Sequence, residues 1–79
     1  MVNLRKRSLT LTGHSTSLAL EPEFWSVLEA KAQAENRSLA ALVGDLDKSR
    51  GPRPLASACR LAALAWAQRR SALGPPSRS

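Results

Sequence analysis

Leucines stand at positions 9 and 11 and again at 18 and 20 in the stretch SLTLTGHSTSLALEPEFW, residues 8–25, with small polar residues between them. A period of two is the mark of a strand with one apolar face. The two pairs have opposite parity, so a single regular strand would turn Leu9 and Leu11 to one side and Leu18 and Leu20 to the other. The register must therefore shift between Thr12 and Ser15, and Gly13 is the residue that permits a turn or a bulge there. Two arrangements satisfy the pattern: a hairpin within one chain, or an N-terminal arm followed by one strand that pairs with its copy in a second chain. In both, Ser15, Ser17 and Ala19 form a row of short side chains on the face away from the core.

The strand pattern stops at Pro22, which with Glu23 makes an ordinary helix start, an acid being favoured at the positive end of the helix dipole. The helix that follows, EFWSVLEAKAQAE, puts Phe24, Val27 and Leu28 on one face with Trp25 and Ala32 beside them. Asn36 and Arg37 read as its end, because asparagine tolerates the left-handed cap conformation. Ser38 is a good N-cap for a second helix, SLAALVGDLDKSR, in which Leu39, Leu42, Val43 and Leu46 recur at helical spacing. Gly44 inside it costs about 1 kcal/mol relative to alanine and points to a close approach of another backbone. SRGPRP at 49–54 is a break, since Gly51 and two prolines cannot continue a helix. A third helix, PLASACRLAALAWAQRR, is apolar nearly all the way round and is expected to be buried, with a neighbouring subunit supplying part of the cover. The closing SALGPPSRS, residues 71–79, reads as a disordered tail.

A chain of 79 residues makes one small domain with a thin core, burying only about 60% of the surface its unfolded form exposes. Cys59 is the only cysteine and His14 the only histidine, so counting excludes an intrachain disulfide and a cysteine-based metal site. Self-association remains as the added support such domains need, and a dimer is expected. No cofactor is expected. No apolar run approaches the roughly 18 residues of a membrane span, and the beginning, MVNLRKRSLTLTG, lacks the apolar core of a secretory signal. The expected location is the cytoplasm.

The formal net charge is +6, with twelve Lys and Arg against six Asp and Glu. The imbalance sits at the two ends: residues 48–79 carry bases and no acid, residues 1–20 carry Arg5, Lys6 and Arg7 and no acid, and all the acids fall within 21–47. Such asymmetry suits an anionic partner, nucleic acid ahead of membrane. Residues 1–7 read as a basic arm that meets phosphate, with a solubilising tail as the plainer alternative. For His14 a turn residue, for Cys59 a small core residue, and for Trp25 and Trp66 packing anchors are the plain readings. No serine, histidine and acid arrangement, glycine-rich phosphate loop or metal-ligand cluster stands in the chain, and no enzyme is read here.

The order of elements is a short strand, a helix, a sharp Asn-Arg-Ser turn, a second helix and an added third. In KRSLTLTGHSTSLALEPEFW, RSLAALVGDLD and PLASACRLAALAW, over about residues 6–68, the chain resembles the ribbon-helix-helix family, the fold of the Arc and methionine repressors, and within it a bacterial branch of small domain proteins. The resemblance implies a mostly α fold with a short β-strand: an intertwined homodimer with an intermolecular antiparallel β-ribbon and an added C-terminal helix, the domain spanning residues 8–70. It also implies that the ribbon enters the major groove of double-stranded DNA and that the N-terminus of the second helix binds phosphate, as a transcriptional regulator would. On this chain the groove-facing positions are then Ser15, Ser17 and Ala19, and the phosphate site is the backbone near Ser38 and Leu39 with Arg37 adjacent, joined by the arm residues Arg5, Lys6 and Arg7. Family members usually present longer polar side chains in the groove, so short hydroxyls here leave base contacts few, water-mediated or made by the arm. The alternative function is a protein-interaction or antitoxin-like dimerisation module, with a second protein as partner.

Overall fold

A computed structural model of the chain describes residues 3–11 and 13–73, with side chains described through residue 70. Two strands come first, β1 at Arg5–Leu11 and β2 at His14–Leu20, followed by helices α1 at Pro22–Ala34, α2 at Leu39–Ser49 and α3 at Leu55–Leu73. The strands pair antiparallel with Leu11 opposite His14, Leu9 opposite Thr16, Arg7 opposite Leu18 and Arg5 opposite Leu20. A connection of two residues, Thr12 and Gly13, accounts for the change of parity. Residues directly opposite one another share a face, so the odd-numbered leucines of β1 and the even-numbered leucines of β2 lie on the same side. Gly13 has φ +85°, the left-handed region that a tight hairpin turn requires and that glycine enters without steric cost.

The partner of β2 is thus β1 of the same chain. This is the hairpin within one chain that the leucine pattern allowed, closed by a turn of two residues at little loop entropy, and among the described residues it leaves the second edge of β2 without a partner. One difference from expectation concerns the basic arm. Arg5, Lys6 and Arg7 are the first three residues of β1, ordered by pairing to Leu20, Ala19 and Leu18. Residues 1–2 of the expected arm, and residues 74–79 of the expected tail, lie outside the described residues; α3 itself runs to Leu73, past the expected end of the domain.

The core lies between the leucine face of the hairpin and the helices. Leu11, Leu18 and Leu20 pack with Trp25, Leu28 and Ala32 of α1, Leu42 and Val43 of α2, and Cys59 and Ala63 of α3. The two helices before the break are joined by a compact turn. Asn36 takes φ 56°, its N–H reaches the Gln33 carbonyl at 3.0 Å, and the Arg37 N–H reaches the Ala32 carbonyl at 3.0 Å. This pair of bonds is the Schellman cap that satisfies the last carbonyls of α1. The next residue, Ser38, accepts from the Ala41 N–H at 3.0 Å through its Oγ and caps α2. Gly44 is buried on α2 and borders a cleft shared with Thr10 of β1.

The third helix is less covered than its composition suggests. Ala58, Cys59 and Ala63 are buried, while Leu61 is 45% and Leu64 50% exposed. Only one side of α3 meets the rest of the chain, because the hairpin and two short helices are too small to wrap it. Arg60 fastens that side to the start of α1: its Nε lies 2.9 Å from the Glu21 Oε1 and its Nη2 3.3 Å from Oε2. Glu21, the backbone N-cap of α1, makes no side-chain cap bond. Its carboxylate serves Arg60 instead.

Candidate nucleic-acid interface

The register sorts every residue of the hairpin onto one of two faces. The outer face presents Lys6, Ser8 and Thr10 from β1 opposite Ala19, Ser17 and Ser15 from β2. All but Ala19, which is half-buried, are exposed. The expected groove-facing residues Ser15, Ser17 and Ala19 do therefore share one face, and three residues of β1 lie beside them. That second row was hidden in the sequence, since its place depends on the strand pairing within the chain.

Arg5 and Arg7 belong to the other face. Trp25, 5% exposed, donates from its indole Nε1 to the Arg5 carbonyl at 2.8 Å. The Arg7 guanidinium lies 4.8 Å from the centre of the Trp25 ring and 2.8 Å from the Glu29 carboxylate. Arg7 is thus held by an aromatic face and an acid of α1, a contact of modest strength at a partly exposed site. Three adjacent cations that read as one basic arm are divided by the strand period: Lys6 faces outward, and its two neighbours face α1.

At the start of α2, the first helical bond runs from the Leu42 N–H to the Ser38 carbonyl, and Ser38 Oγ takes the Ala41 N–H. The N–H groups of Leu39 and Ala40 are left for an external acceptor, as at any helix start. No acid lies in the first turn of α2, whereas α1 has Glu23 in its first turn. Leu39 is partly buried against the core, so only its backbone is available. Arg37 stands beside this helix start with its guanidinium turned along the helix. It donates to the Ala41 carbonyl at 2.8 Å and to the Asp45 carboxylate, and approaches Glu35 at 3.5 Å. Arg37 therefore orders the turn, and reaching a phosphate would require it to release Asp45.

Thr10 of the outer row and Ser38 at the start of α2 border one open cleft, with Arg37, Ala40, Ala41, Gly44 and Asp45. The outer hairpin face and the free N–H groups of α2 are accordingly neighbours on the surface. Electrostatics favours an anion on this molecule. Among the described residues Glu21, Glu29, Glu35, Asp45 and Asp47 each pair with a base, while Arg5, Lys6, Lys48, Arg53, Arg69 and Arg70 form no ion pair. The bond from Arg60 holds the Glu21 carboxyl below its ordinary range, and Lys31 does the same for Glu35. No group of three His, Cys, Asp or Glu side chains that could hold a metal occurs among the described residues.

A hairpin on two helices joined by a tight capped turn, with a helix start open to an anion beside the outer strand face, defines a small β-ribbon binding module. The family model described as the ribbon-helix-helix domain matches residues 4–67, most of the chain, and the protein belongs to that family. No curated protein and no solved structure matches the chain significantly. Among the described residues no helix is long and apolar enough to cross a membrane.

Proposed function

We propose that the protein is a DNA-binding transcriptional regulator of the cytoplasm that works as a homodimer. The outer face of the hairpin lies in the major groove of double-stranded DNA, and the start of α2 rests on the sugar-phosphate backbone. The observation that carries this reading is the shared cleft of Thr10 and Ser38, which sets a two-stranded ribbon next to unsatisfied N–H groups. A two-stranded ribbon fits the groove, and a helix N-terminus binds phosphate through those groups. Ser15, Ser17 and Ala19 approach the base edges, the backbone of Ser38 and Leu39 meets phosphate, and Arg5 adds charge at the open end of the hairpin. In the homodimer, β2 of one protomer pairs antiparallel through its open edge with β2 of its partner, and Leu61 and Leu64, the large apolar side chains that α3 leaves in solvent, offer further surface for the second copy to cover.

The test is a titration of the full chain against duplex DNA over a range of salt concentrations. Phosphate-driven affinity must rise as salt falls, with a slope set by the number of phosphates neutralised. Affinity that stays immeasurable at low salt overturns the reading. The same α3 face supports one further role, as an adaptor in which Leu61 and Leu64 hold a second protein. Copurification of a stoichiometric partner with no DNA retained would favour that role.

A further inference from the structure

We infer that β1 adds a row of phosphate contacts on each side of the ribbon, with Lys6, Ser8 and Thr10 of both protomers resting on the walls of the groove that the paired β2 strands enter. The inference rests on the homodimer and the DNA-binding role proposed above and deepens them by assigning a task to β1, which lies outside the ribbon itself. β1 pairs with one edge of β2 and the ribbon uses the other, so the dimer presents a sheet in the order β1, β2, partner β2, partner β1. Neighbouring strands are about 4.8 Å apart, which puts each β2 about 2.4 Å and each β1 about 7.2 Å from the two-fold axis. The major groove is about 12 Å wide, so its walls stand about 6 Å from its middle. The two β2 strands therefore fit between the walls and β1 does not. A ribbon lying along the groove holds β1 over the phosphates on either side.

The side chains of β1 suit that place. Lys6, Ser8 and Thr10 stand opposite Ala19, Ser17 and Ser15 in the register and so share the outer face with them, and all three are exposed. Each ends in a donor, an ammonium on Lys6 and a hydroxyl on Ser8 and Thr10, and phosphate oxygens accept from such groups whatever the sequence. No carboxylate among the described residues pairs with Lys6, so its ammonium meets phosphate without breaking an ion pair. Trp25 fixes this end of the strand from the opposite face, donating to the Arg5 carbonyl at 2.8 Å and lying under the Arg7 guanidinium, 4.8 Å from the ring centre. At the other end of β1, Thr10 borders the cleft that also holds Ser38 and the start of α2. Asp45, the acid of that cleft, is neutralised by Arg37. A phosphate there is offered the Thr10 hydroxyl from one side and the N–H groups of Leu39 and Ala40 from the other, which joins the helix contact to the row along β1.

Titration over a range of salt against several duplexes of unrelated sequence tests this with the full chain and with Lys6→Ala, Thr10→Val and Lys48→Ala, circular dichroism checking that each keeps the fold. Each neutralised phosphate contributes about 0.9 to the salt slope and a dimer carries Lys6 twice, so Lys6→Ala should reduce the slope by about 2 and weaken binding to every duplex by the same factor. Thr10→Val keeps the charge and the β-branched shape, and should weaken binding several-fold with the slope unchanged. Lys48→Ala removes the same charge as Lys6→Ala, but from the last turn of α2, at the opposite end of that helix from the cleft, and should leave the slope as in the wild type. Three results overturn the inference while leaving the DNA-binding role intact: a slope that falls no further in Lys6→Ala than in Lys48→Ala, a loss in Lys6→Ala confined to particular sequences, or a Thr10→Val variant that binds like the wild type. A wild type that fails to bind duplex DNA at low salt overturns the role itself, and this inference with it.

Discussion

Trp25 is the side chain on which the first strand depends. Its ring is buried against the core, its N–H ends on the Arg5 carbonyl, and Arg7 covers its outer face. Trp25→Phe keeps most of the apolar contact and leaves that carbonyl without its donor, so unfolding stability should fall by about 1 kcal/mol, read as a lowered midpoint in chemical denaturation. That Trp25 is a packing anchor was legible in the sequence. The fate of Arg7 was not, because Glu29 stands 22 residues away and only the hairpin register brings the two together. Cys59 behaves as the plain reading holds: it is fully buried, and burial, with a lesser contribution from the Asp47 charge, pushes its thiol up to about 11. A thiol-specific reagent at neutral pH should therefore label Cys59 at the rate of unfolding and speed up sharply in denaturant. Because the folded value lies above the ordinary 9.0, stability is unaffected below about pH 9 and should decline as pH rises from there towards 11.

At the scale of elements, two turns fix the fold, and both could be read from local chemistry. Gly13 has φ +85° with open space where a Cβ would stand. The cost of Gly13→Ala is then one of backbone conformation alone, about 1 kcal/mol, and thermal denaturation should show the midpoint lowered by about 4–8 °C. Parity of the leucines signalled this turn, but it fitted an arm and a bulge as well, since parity records only that a register shift exists. The Asn36-Arg37-Ser38 connection was more tightly determined. An asparagine suited to a left-handed cap is followed within two residues by a good N-cap, which leaves room for little else than a sharp corner. Ser38→Ala removes the bond to the Ala41 N–H and should also cost about 1 kcal/mol. Ser38→Gly should cost only a few tenths, which distinguishes capping from a loss of the turn. The exposure of α3 within one chain is a matter of supply: alanine-rich helices are apolar on every side, but burial needs partner surface, and this chain has enough for one side.

At the scale of the whole molecule, every acid but Glu23 pairs with a base within the fold, and among the described residues several bases are left over. The pairing of Glu21 with Arg60 and of Glu35 with Lys31 lowers both carboxyls from their ordinary 4.5. Groups depressed in the folded state add stability that is complete above the unfolded value and is lost as pH falls through the folded one. Thermal midpoints should therefore drop on acidification below that range, and Glu21→Gln should flatten part of the drop while leaving the neutral-pH fold unchanged by circular dichroism. The charge imbalance itself was plain in the sequence. Which cations remain free is a property of the packed molecule: of the basic triplet at 5–7, Arg7 pairs with Glu29 while Arg5 and Lys6 form no ion pair.

The amino-acid sequence by itself determined the strand β2, the three helices that follow it and their order, the corner between α1 and α2, and the side of β2 that is apolar, but not that residues 5–11 form a strand of their own. Each of these depends on a residue and a few of its neighbours along the chain, through strand period, helical spacing, capping and the tolerance of glycine and asparagine for positive φ. The tertiary structure alone decided which strand β2 pairs with, which face Lys6 joins, and that Arg7 and Arg37 are held by acids of the same chain. Those outcomes hang on contacts between distant positions, Arg7 with Trp25 and Glu29, Arg60 with Glu21, whose energies exist only once packing has brought the partners within a few ångströms.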